Sequence, residues 1–238
     1  MKEMRLDKYL ADMGLGTRSE IKNKIKQGQV VLNGEMEKRP ERKVNPVMDR
    51  VTVNGEEIHY ISYEYYMLNK PSGYVSATSD TTYPTVLDLI VDKKRKDLFP
   101  VGRLDLDTEG LLLITNDGAL SHQLLSPKKH VTKTYYAKIE GRVTKEDVVK
   151  FKEGLDIGED ALTLPAELVI QKEDEVSEIE VTITEGKFHQ IKRMFEAVGK
   201  KVLFLKRLSM GNLVLDETLS LGAYRPLTEK EINDLKGK

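Results

Sequence analysis

Arg103, Asp105, Asp107 and Glu109 alternate with uncharged residues over seven positions, and the run Leu111 to Ile114 behind them is wholly apolar. That run must enter a core, so the charges ahead of it are anchored, unlike those of a free loop. A carboxylate held in this way can serve as a nucleophile or a general base. Two other groups carry complementary chemistry. Lys133-Thr134-Tyr135 offers a cation and a phenol, and Glu185-Gly-Lys-Phe-His-Gln-Ile-Lys-Arg193 brings Lys192 and Arg193 beside His189 and Gln190. The groups are far apart in sequence and form no local motif, so only a fold can bring them together.

Other chemistries fit these residues less well. Asp105-Leu-Asp107-Thr-Glu109-Gly110 resembles the start of an EF-hand loop, but the twelfth position is Asn116 rather than a bidentate Glu, and Leu111 to Ile114 is too apolar to line a calcium site. A nucleotide-sugar transferase could use the Asp-x-Asp pair with a divalent ion, but no glycine-rich phosphate loop accompanies it. The same lack argues against a methyltransferase. A glycosidase needs two carboxylates facing one bond, and two positions apart on a strand or turn they need not do so. Each residue also has an ordinary structural use: Asp105 or Asp107 as a turn cap, Tyr135 as a strand aromatic, Lys192 and Arg193 as surface charge.

The elements that would position these groups fall into two regions. Leu6, Tyr9, Leu10 and Met13 recur at helical spacing, Gly14 and Gly16 stop that pattern, and Thr17 or Ser19 can cap a second helix through Ile21 and Ile25. Val30 to Leu32 and Val51 to Val53 read as short strands, each followed by an Asn-Gly pair suited to a tight hairpin turn. From Tyr63 onward longer strands take over. Tyr65 to Leu68 reads as a strand ended by the turn cluster Asn69-Lys-Pro-Ser-Gly73, Thr85 to Val91 as a short helix, Leu111 to Thr115 as a buried strand, and Ala119 to Leu125 as a helix. Thr134 to Glu140 and Glu178 to Thr184 alternate like half-buried strands. Ile191, Phe195 and Val198 predict a helix with Lys192 in its first turns, and Gly199 to Leu208 returns as a strand. The mixture predicts an α+β fold on a mixed, largely antiparallel sheet, preceded by a small αβ domain, with domains over 1–60 and 61–238.

Composition bounds the partners. The chain has 238 residues, 39% hydrophobic and 32% charged, a net charge of −1 and no cysteine. Disulfides, thiolate metal sites and thiol nucleophiles are therefore excluded together. The start lacks the apolar core of a signal peptide and no stretch is long enough to span a membrane, so a cytoplasmic protein without a membrane partner is expected. Near-neutrality argues against coating nucleic acid by bulk attraction. Charge is nonetheless segregated: seven Lys and Arg face four acids from Met1 to Gly34, and seven face the single Glu196 from Gly186 to Arg207.

The stretch Val101-Gly-Arg-Leu-Asp-Leu-Asp-Thr-Glu-Gly-Leu-Leu resembles the active-site signature of pseudouridine synthases, in which Arg-Leu-Asp precedes Thr and a Gly-Leu pair. With the two later groups in the same order, the chain resembles the RsuA group of that family from Arg5 to Glu231. Its beginning, Arg5-Leu-Asp-Lys-Tyr-Leu10, Thr17-Arg18 and Gly28-Gln-Val-Val-Leu-Asn-Gly34, resembles an S4-type RNA-binding domain. Where that domain usually carries a serine and two basic residues, this chain has Thr17-Arg18-Ser19, which implies one phosphate contact fewer.

The resemblance implies RNA as substrate and isomerisation of a uridine as reaction, with Asp105 as catalytic residue. Lys192 then stands at the family's basic position, often Arg, to keep Asp105 ionised, and Tyr135 packs on the flipped uracil. Arg103 and Arg193 would bind the RNA near the site, and Arg5, Lys8, Arg18, Lys22 and Lys26 would bind it on the small domain. Nothing is oxidised or hydrolysed in such an isomerisation, so neither a cofactor nor a metal is expected. Leu125-Ser-Pro-Lys-Lys-His-Val-Thr-Lys-Thr-Tyr135 and the lack of a long basic C-terminal extension look most like the enzymes acting on 16S ribosomal RNA, expected in a partly assembled small subunit; the oligomeric state stays open, with a monomer favoured. The same chemistry on 23S RNA and a non-catalytic RNA-binding adaptor are the alternatives.

Overall fold

The computed structural model describes residues 2–237, which form two compact units. The first is Met1–Glu64 together with Val91–Leu98, and the second is Tyr65–Ile90 with Phe99–Lys238. By contacts, then, an eight-residue stretch that follows the start of the second unit packs with the first.

In the first unit, β1 (Met4–Arg5) leads into α1 (Leu6–Asp12) and α2 (Arg18–Lys26). Thr17 caps α2 through a reciprocal pair with Glu20, which satisfies two backbone donors at the helix start. The buried Leu6, Leu10, Ile21 and Ile25 on these helices meet Val30, Leu32, Val51 and Val53 in one core. Val30, Leu32, Val51 and Val53 come from β2 (Val30–Leu32) and β5 (Val51–Val53), which with β3 (Glu35–Met36) and β6 (Glu56–Ile58) make a four-stranded antiparallel sheet. β4 (Lys43–Val44) pairs separately with β1. Both Asn-Gly turns adopt the positive φ angles expected of them, at Asn33, Gly34, Asn54 and Gly55.

The second unit is built on a nine-stranded sheet. β7 (Tyr65–Lys70) and β9 (Glu109–Thr115) lie antiparallel near one end of it, β9 also pairing with the short β8 (Phe99–Pro100). β7 is buried along its whole length and β9 from Gly110 onward, which explains their apolar runs without alternation. The strand β7 goes two residues beyond the expected one and takes in Asn69 and Lys70. β10 (Lys133–Glu140) and β12 (Val176–Ile183) alternate buried and exposed positions as half-buried strands do. β11 (Glu167–Lys172) flanks β12, β13 (Lys201–Met210) joins β10 to β9, β14 (Leu213–Val214) pairs with β13, and β15 (Tyr224–Pro226) closes the far edge on β7. Among the paired strands of the described residues only β13 and β9 run parallel, so the mixed and largely antiparallel sheet read from the sequence is the one observed.

Helices α3 (Gly118–Leu125), α4 (Lys145–Glu153), α5 (Gln190–Ala197) and α6 (Glu229–Lys236) complete the unit. Thr85 to Val91 does not form the expected helix. Asp88 bonds the Thr85 N–H at 2.7 Å and hydroxyl at 3.0 Å, closing a single turn, and the chain leaves for the first unit at Val91 before a second turn can form. No helix among the described residues is long and apolar enough to cross a membrane.

Candidate active site

The loop from Gly102 to Thr108 is gripped from inside by the last residue of β7 and the segment that follows it. Lys70 is completely buried, and its ammonium donates to the carbonyls of Asp105 at 3.0 Å, Thr108 at 2.8 Å and Pro71 at 3.1 Å, with Leu106 O at 3.4 Å. Ser76 adds a two-way tie, its hydroxyl donating to Leu104 O and accepting from Leu104 N–H, both at 3.0 Å. Gly73 N–H donates to Leu106 O at 2.9 Å. Burial pushes the Lys70 ammonium down to about 8, against the pull of Asp107, Asp105 and Glu109, which favour its charge. The loop is thus fixed by its backbone, which leaves the side chains of Asp105 and Asp107 for other partners.

Those partners come from α5. Gln190, nearly buried, accepts the Lys187 N–H at 2.9 Å and donates to Glu185 at 2.7 Å, fixing the turn that starts the helix. His189 precedes the helix with φ 48°, a left-handed conformation uncommon outside glycine. Lys192 then sits in the first turn with its ammonium 3.1 Å from Asp105 Oδ2 and 2.7 Å from Asp107 Oδ1. Asp105 and Lys192 are 29% and 21% exposed, so the pair is sheltered yet reachable. Burial opposes the Lys192 charge, but hydrogen bonds to Asp107 and Asp105 outweigh it and raise the pKa above the ordinary lysine value. The same bond holds Asp107 below the usual carboxylate range despite its partial burial. His189 Nε2 lies 3.5 Å from Asp105 Oδ1, and the Phe188 ring stacks on the His189 ring at 3.8 Å while staying 74% exposed. A metal at the two aspartates would have to displace the Lys192 ammonium, and no group of three or more metal-ligating side chains occurs among the described residues.

Tyr135 arrives by sheet register. It pairs with Arg207 on β13, and Arg207 pairs with Gly110 on β9, so the phenol-bearing strand and the end of the Asp105 loop lie at one level of the sheet. Gly110 is obligatory there: its φ is +97°, and a Cβ would fall 2.3 Å from Arg207 O. Tyr135 is 7% exposed and makes no hydrogen bond to Asp105 or Lys192 among the described residues. Arg207 is itself buried, bonding Leu111 O at 2.8 Å through Nε, while its Nη2 has no hydrogen-bond partner among the described residues.

The remaining expected residues divide by how they are held. Arg103 is exposed and forms no ion pair among the described residues. Arg193 is committed to Glu159 at 2.8 Å, to Phe188 O at 3.1 Å and to Ile157 O, bonds that brace the loop beside α5. In the first unit Arg5 makes a two-bond fork on the buried Asp7 at 3.0 and 2.9 Å, and Arg18 lies 3.6 Å from the same carboxylate. Lys8 pairs with Asp12 at 2.5 Å. Lys22 and Lys26 are exposed on α2 and form no ion pair among the described residues.

Sequence comparison identifies the family. A family model described as RNA pseudouridylate synthase matches residues 64–197, and one for the S4 domain matches residues 4–51. The chain belongs to the RNA pseudouridine synthase family. It is 47% identical over 232 residues to an uncharacterized RNA pseudouridine synthase, YtzG, of Bacillus subtilis, covering 97% of each chain. It is 42% identical over 233 residues to the ribosomal small subunit pseudouridine synthase A of Vibrio parahaemolyticus, covering 98% of this chain and 99% of that one. A crystal structure of a pseudouridylate synthase matches with a TM-score of 0.69 at 40% identity, covering 98% and 99% of the two chains. The family's reaction is an isomerisation.

Two features went unread in the sequence. The turn cluster Asn69-Lys-Pro-Ser-Gly73 includes Lys70, although a lysine at the end of an otherwise buried strand signals a buried ammonium that must find carbonyls. Nothing in the sequence pattern assigns His189 a role, and the left-handed turn before α5 brings it beside Asp105.

Proposed function

We propose that this protein isomerises one uridine of 16S ribosomal RNA to pseudouridine, in the small subunit or its assembly intermediate, working as a cytoplasmic monomer. The observation that carries the chemistry is the Asp105 carboxylate, held 3.1 Å from Lys192 on a loop whose backbone is fixed by Lys70. The end-to-end relationship to a small subunit enzyme supports the choice of RNA.

In the reaction the bond from ribose C1′ to uracil N1 breaks, the base turns, and C1′ bonds to C5. The C5 proton is lost and N1 gains one, so no atom is added or removed overall. Asp105 supplies the carboxylate that attacks the sugar or removes a proton from it. Lys192 orients that carboxylate and balances its charge in the sheltered site. Tyr135 supports the flipped uracil from the sheet, and the exposed Phe188 ring gives a base a face to stack on. Arg103 meets phosphate at the site, while Arg5, Lys8, Arg18, Lys22 and Lys26 meet it on the S4 unit.

Tritium release from 5-tritiated uridine tests this directly, with 16S RNA offered free and in partly assembled small subunits. Release by the wild type and none above background by Asp105→Asn is expected. Release from 23S RNA alone would overturn the target, and equal release by the variant would overturn the role of Asp105. No release from any ribosomal RNA, with binding intact, would leave an adaptor rather than an enzyme.

A further inference from the structure

The segment Val91-Asp-Lys-Lys-Arg-Lys-Asp-Leu98 has four consecutive basic residues, and the S4 match ends long before it. By sequence it falls within the synthase match, but by packing it belongs to the first unit. Arg95 is its anchor. That side chain is 4% exposed, makes a two-bond fork on Asp97 at 2.9 and 2.6 Å, lies 3.6 Å from Asp12 and 3.3 Å from Ile61 O, and sits 5.4 Å over the Tyr60 ring. The Glu64 carboxylate accepts the backbone N–H groups of Lys94 at 3.1 Å and Arg95 at 2.7 Å. Leu98 is buried at the end of the segment, and Lys94 O packs so closely on Gly14 that a Cβ there would come within 3.2 Å.

A run of lysines kept only for solubility needs no such anchorage. Glu64 fixes the backbone and Asp12 and Asp97 hold Arg95, while the flanking Lys94 and Lys96 stay exposed without an ion pair among the described residues. Two open grooves follow from this. One, of about 300 Å³, is lined by Lys8, Ala11, Asp12, Arg18, Lys96 and Asp97. The other, of about 550 Å³, runs between Gly14, Ile58, His59 and the lysines at 93, 94 and 96. Lys96 therefore stands beside Lys8 and Arg18, next to a helix start where Thr17-Arg18-Ser19 provides a single basic residue.

We infer that the anchored segment Val91–Leu98 is a second phosphate-binding element, in which Lys94 and Lys96 extend the RNA-binding surface of the S4 unit along the backbone of the RNA substrate. It rests on the reading of ribosomal RNA as that substrate. Open grooves beside the exposed Lys94 and Lys96 suit a phosphodiester chain running past them better than an enclosed small molecule. The grip is electrostatic and blind to sequence, so it adds affinity without choosing the uridine.

The full-length Lys94→Gln/Lys96→Gln variant, which keeps Arg95 and so the anchor, tests this against in vitro transcribed 16S and 23S RNA. Dissociation constants are read between 50 and 300 mM KCl, with single-turnover tritium release at saturating RNA. Loss of two phosphate contacts should lower the slope of log affinity against log salt by about 1.4 to 1.8 and weaken binding several-fold at low salt, with the saturated rate unchanged. If the wild type binds with a clear salt slope and the variant matches it in slope and affinity, the segment is not an RNA contact. If the variant loses rate at saturation while its affinity holds, the segment acts elsewhere and the inference is equally overturned. If the wild type itself binds neither RNA, the ribosomal RNA reading fails first and takes this inference with it. A Lys94→Glu/Lys96→Glu variant with an unchanged melting temperature should weaken binding further.

Discussion

In the synthase unit the cations of the site are tied down: Lys70 is buried on carbonyls of the Asp105 loop, Lys192 lies between two aspartates, and Arg207 is buried against Leu111 O. In the first unit Lys22, Lys26, Lys94 and Lys96 are exposed and form no ion pair among the described residues. Each residue of both sets carries one formal positive charge, but the two sets suit different tasks. A fixed cation in a sheltered place stabilises charge at one atom and needs no rearrangement during the reaction. A free surface cation releases counterions on meeting phosphate, and its contribution falls as salt rises. Changes in the first set should therefore appear in the rate and the stability, and changes in the second in affinity and its salt dependence.

Lys70 gives the largest expected effect. In Lys70→Met the carbonyls of Asp105, Leu106 and Thr108 lose their buried donor, and a cost of about 3 kcal/mol in stability is expected from denaturant melts. The single-turnover rate should fall with it even where the protein remains folded. Its titration separates stability from activity. Burial holds Lys70 near about 8, against an ordinary value of 10.5, so the folded chain binds this proton less tightly than the unfolded one. Protonation of Lys70, not its presence, thus opposes folding in full below about pH 8, and that opposition fades as pH rises toward 10.5. Activity should run the other way and drop on an alkaline limb near pH 8, where the ammonium that holds the loop loses its charge. Lys192 cannot supply that limb, because its own pKa is raised. A flat rate from pH 7 to 9 would remove Lys70 from the account of the site.

Lys192 comes next. Lys192→Ala removes the cation shared by Asp105 and Asp107 and should cut the saturated rate by about a hundredfold. The dissociation constant for RNA and its salt slope should barely move, because this charge is already paired within the protein. Lys192→Arg should restore much of the rate, since the guanidinium can serve both carboxylates. Should the alanine variant lose affinity instead of rate, the division between fixed and free cations would fail at the site where it is sharpest.

The sequence makes some of this legible and hides the rest for physical reasons. Helical spacing at Leu6, Tyr9 and Leu10, the Thr17 cap and the two Asn-Gly turns are local signals, and the elements follow them. The apolar run Leu111 to Ile114 similarly announces a strand buried on both faces. Thr85 to Val91 misled because Thr85 and Asp88 do form a helix-start pair, while the departure of the chain for the first unit depends on contacts distant in sequence. Meeting of Asp105 with Lys192 could be drawn only from family resemblance, since a separation of more than eighty residues leaves no periodic trace. Lys70 was hidden for a related reason: its partners are backbone carbonyls, which every residue has and no side-chain pattern reveals. Val91 to Leu98 shows the reverse difficulty. Its charge is obvious in the sequence, but the split between one buried arginine and its exposed neighbours becomes visible only in the structure.

The smallest effect expected concerns α2. Lys22 and Lys26 stand four apart on one helix face and are exposed, so Lys22→Gln/Lys26→Gln should leave the melting temperature and the saturated rate close to the wild type. RNA affinity should fall several-fold at low salt, with a slope reduced by no more than about 1.8, and the difference should shrink toward nothing as the salt approaches 0.3 M. Arg18 provides the internal contrast. It has a comparable exposed position on the same helix, but the buried Asp7 lies 3.6 Å away and Arg5 competes for that carboxylate. Asp7 remains ionised because Arg5 and Arg18 outweigh the opposing effect of burial, which leaves part of the Arg18 charge already balanced. Arg18→Gln should therefore lower the salt slope by less than one lysine does and lower stability slightly more. If Arg18 and Lys22 gave equal slopes, pairing within the protein would not be what distinguishes a cation that grips RNA from one that holds the fold.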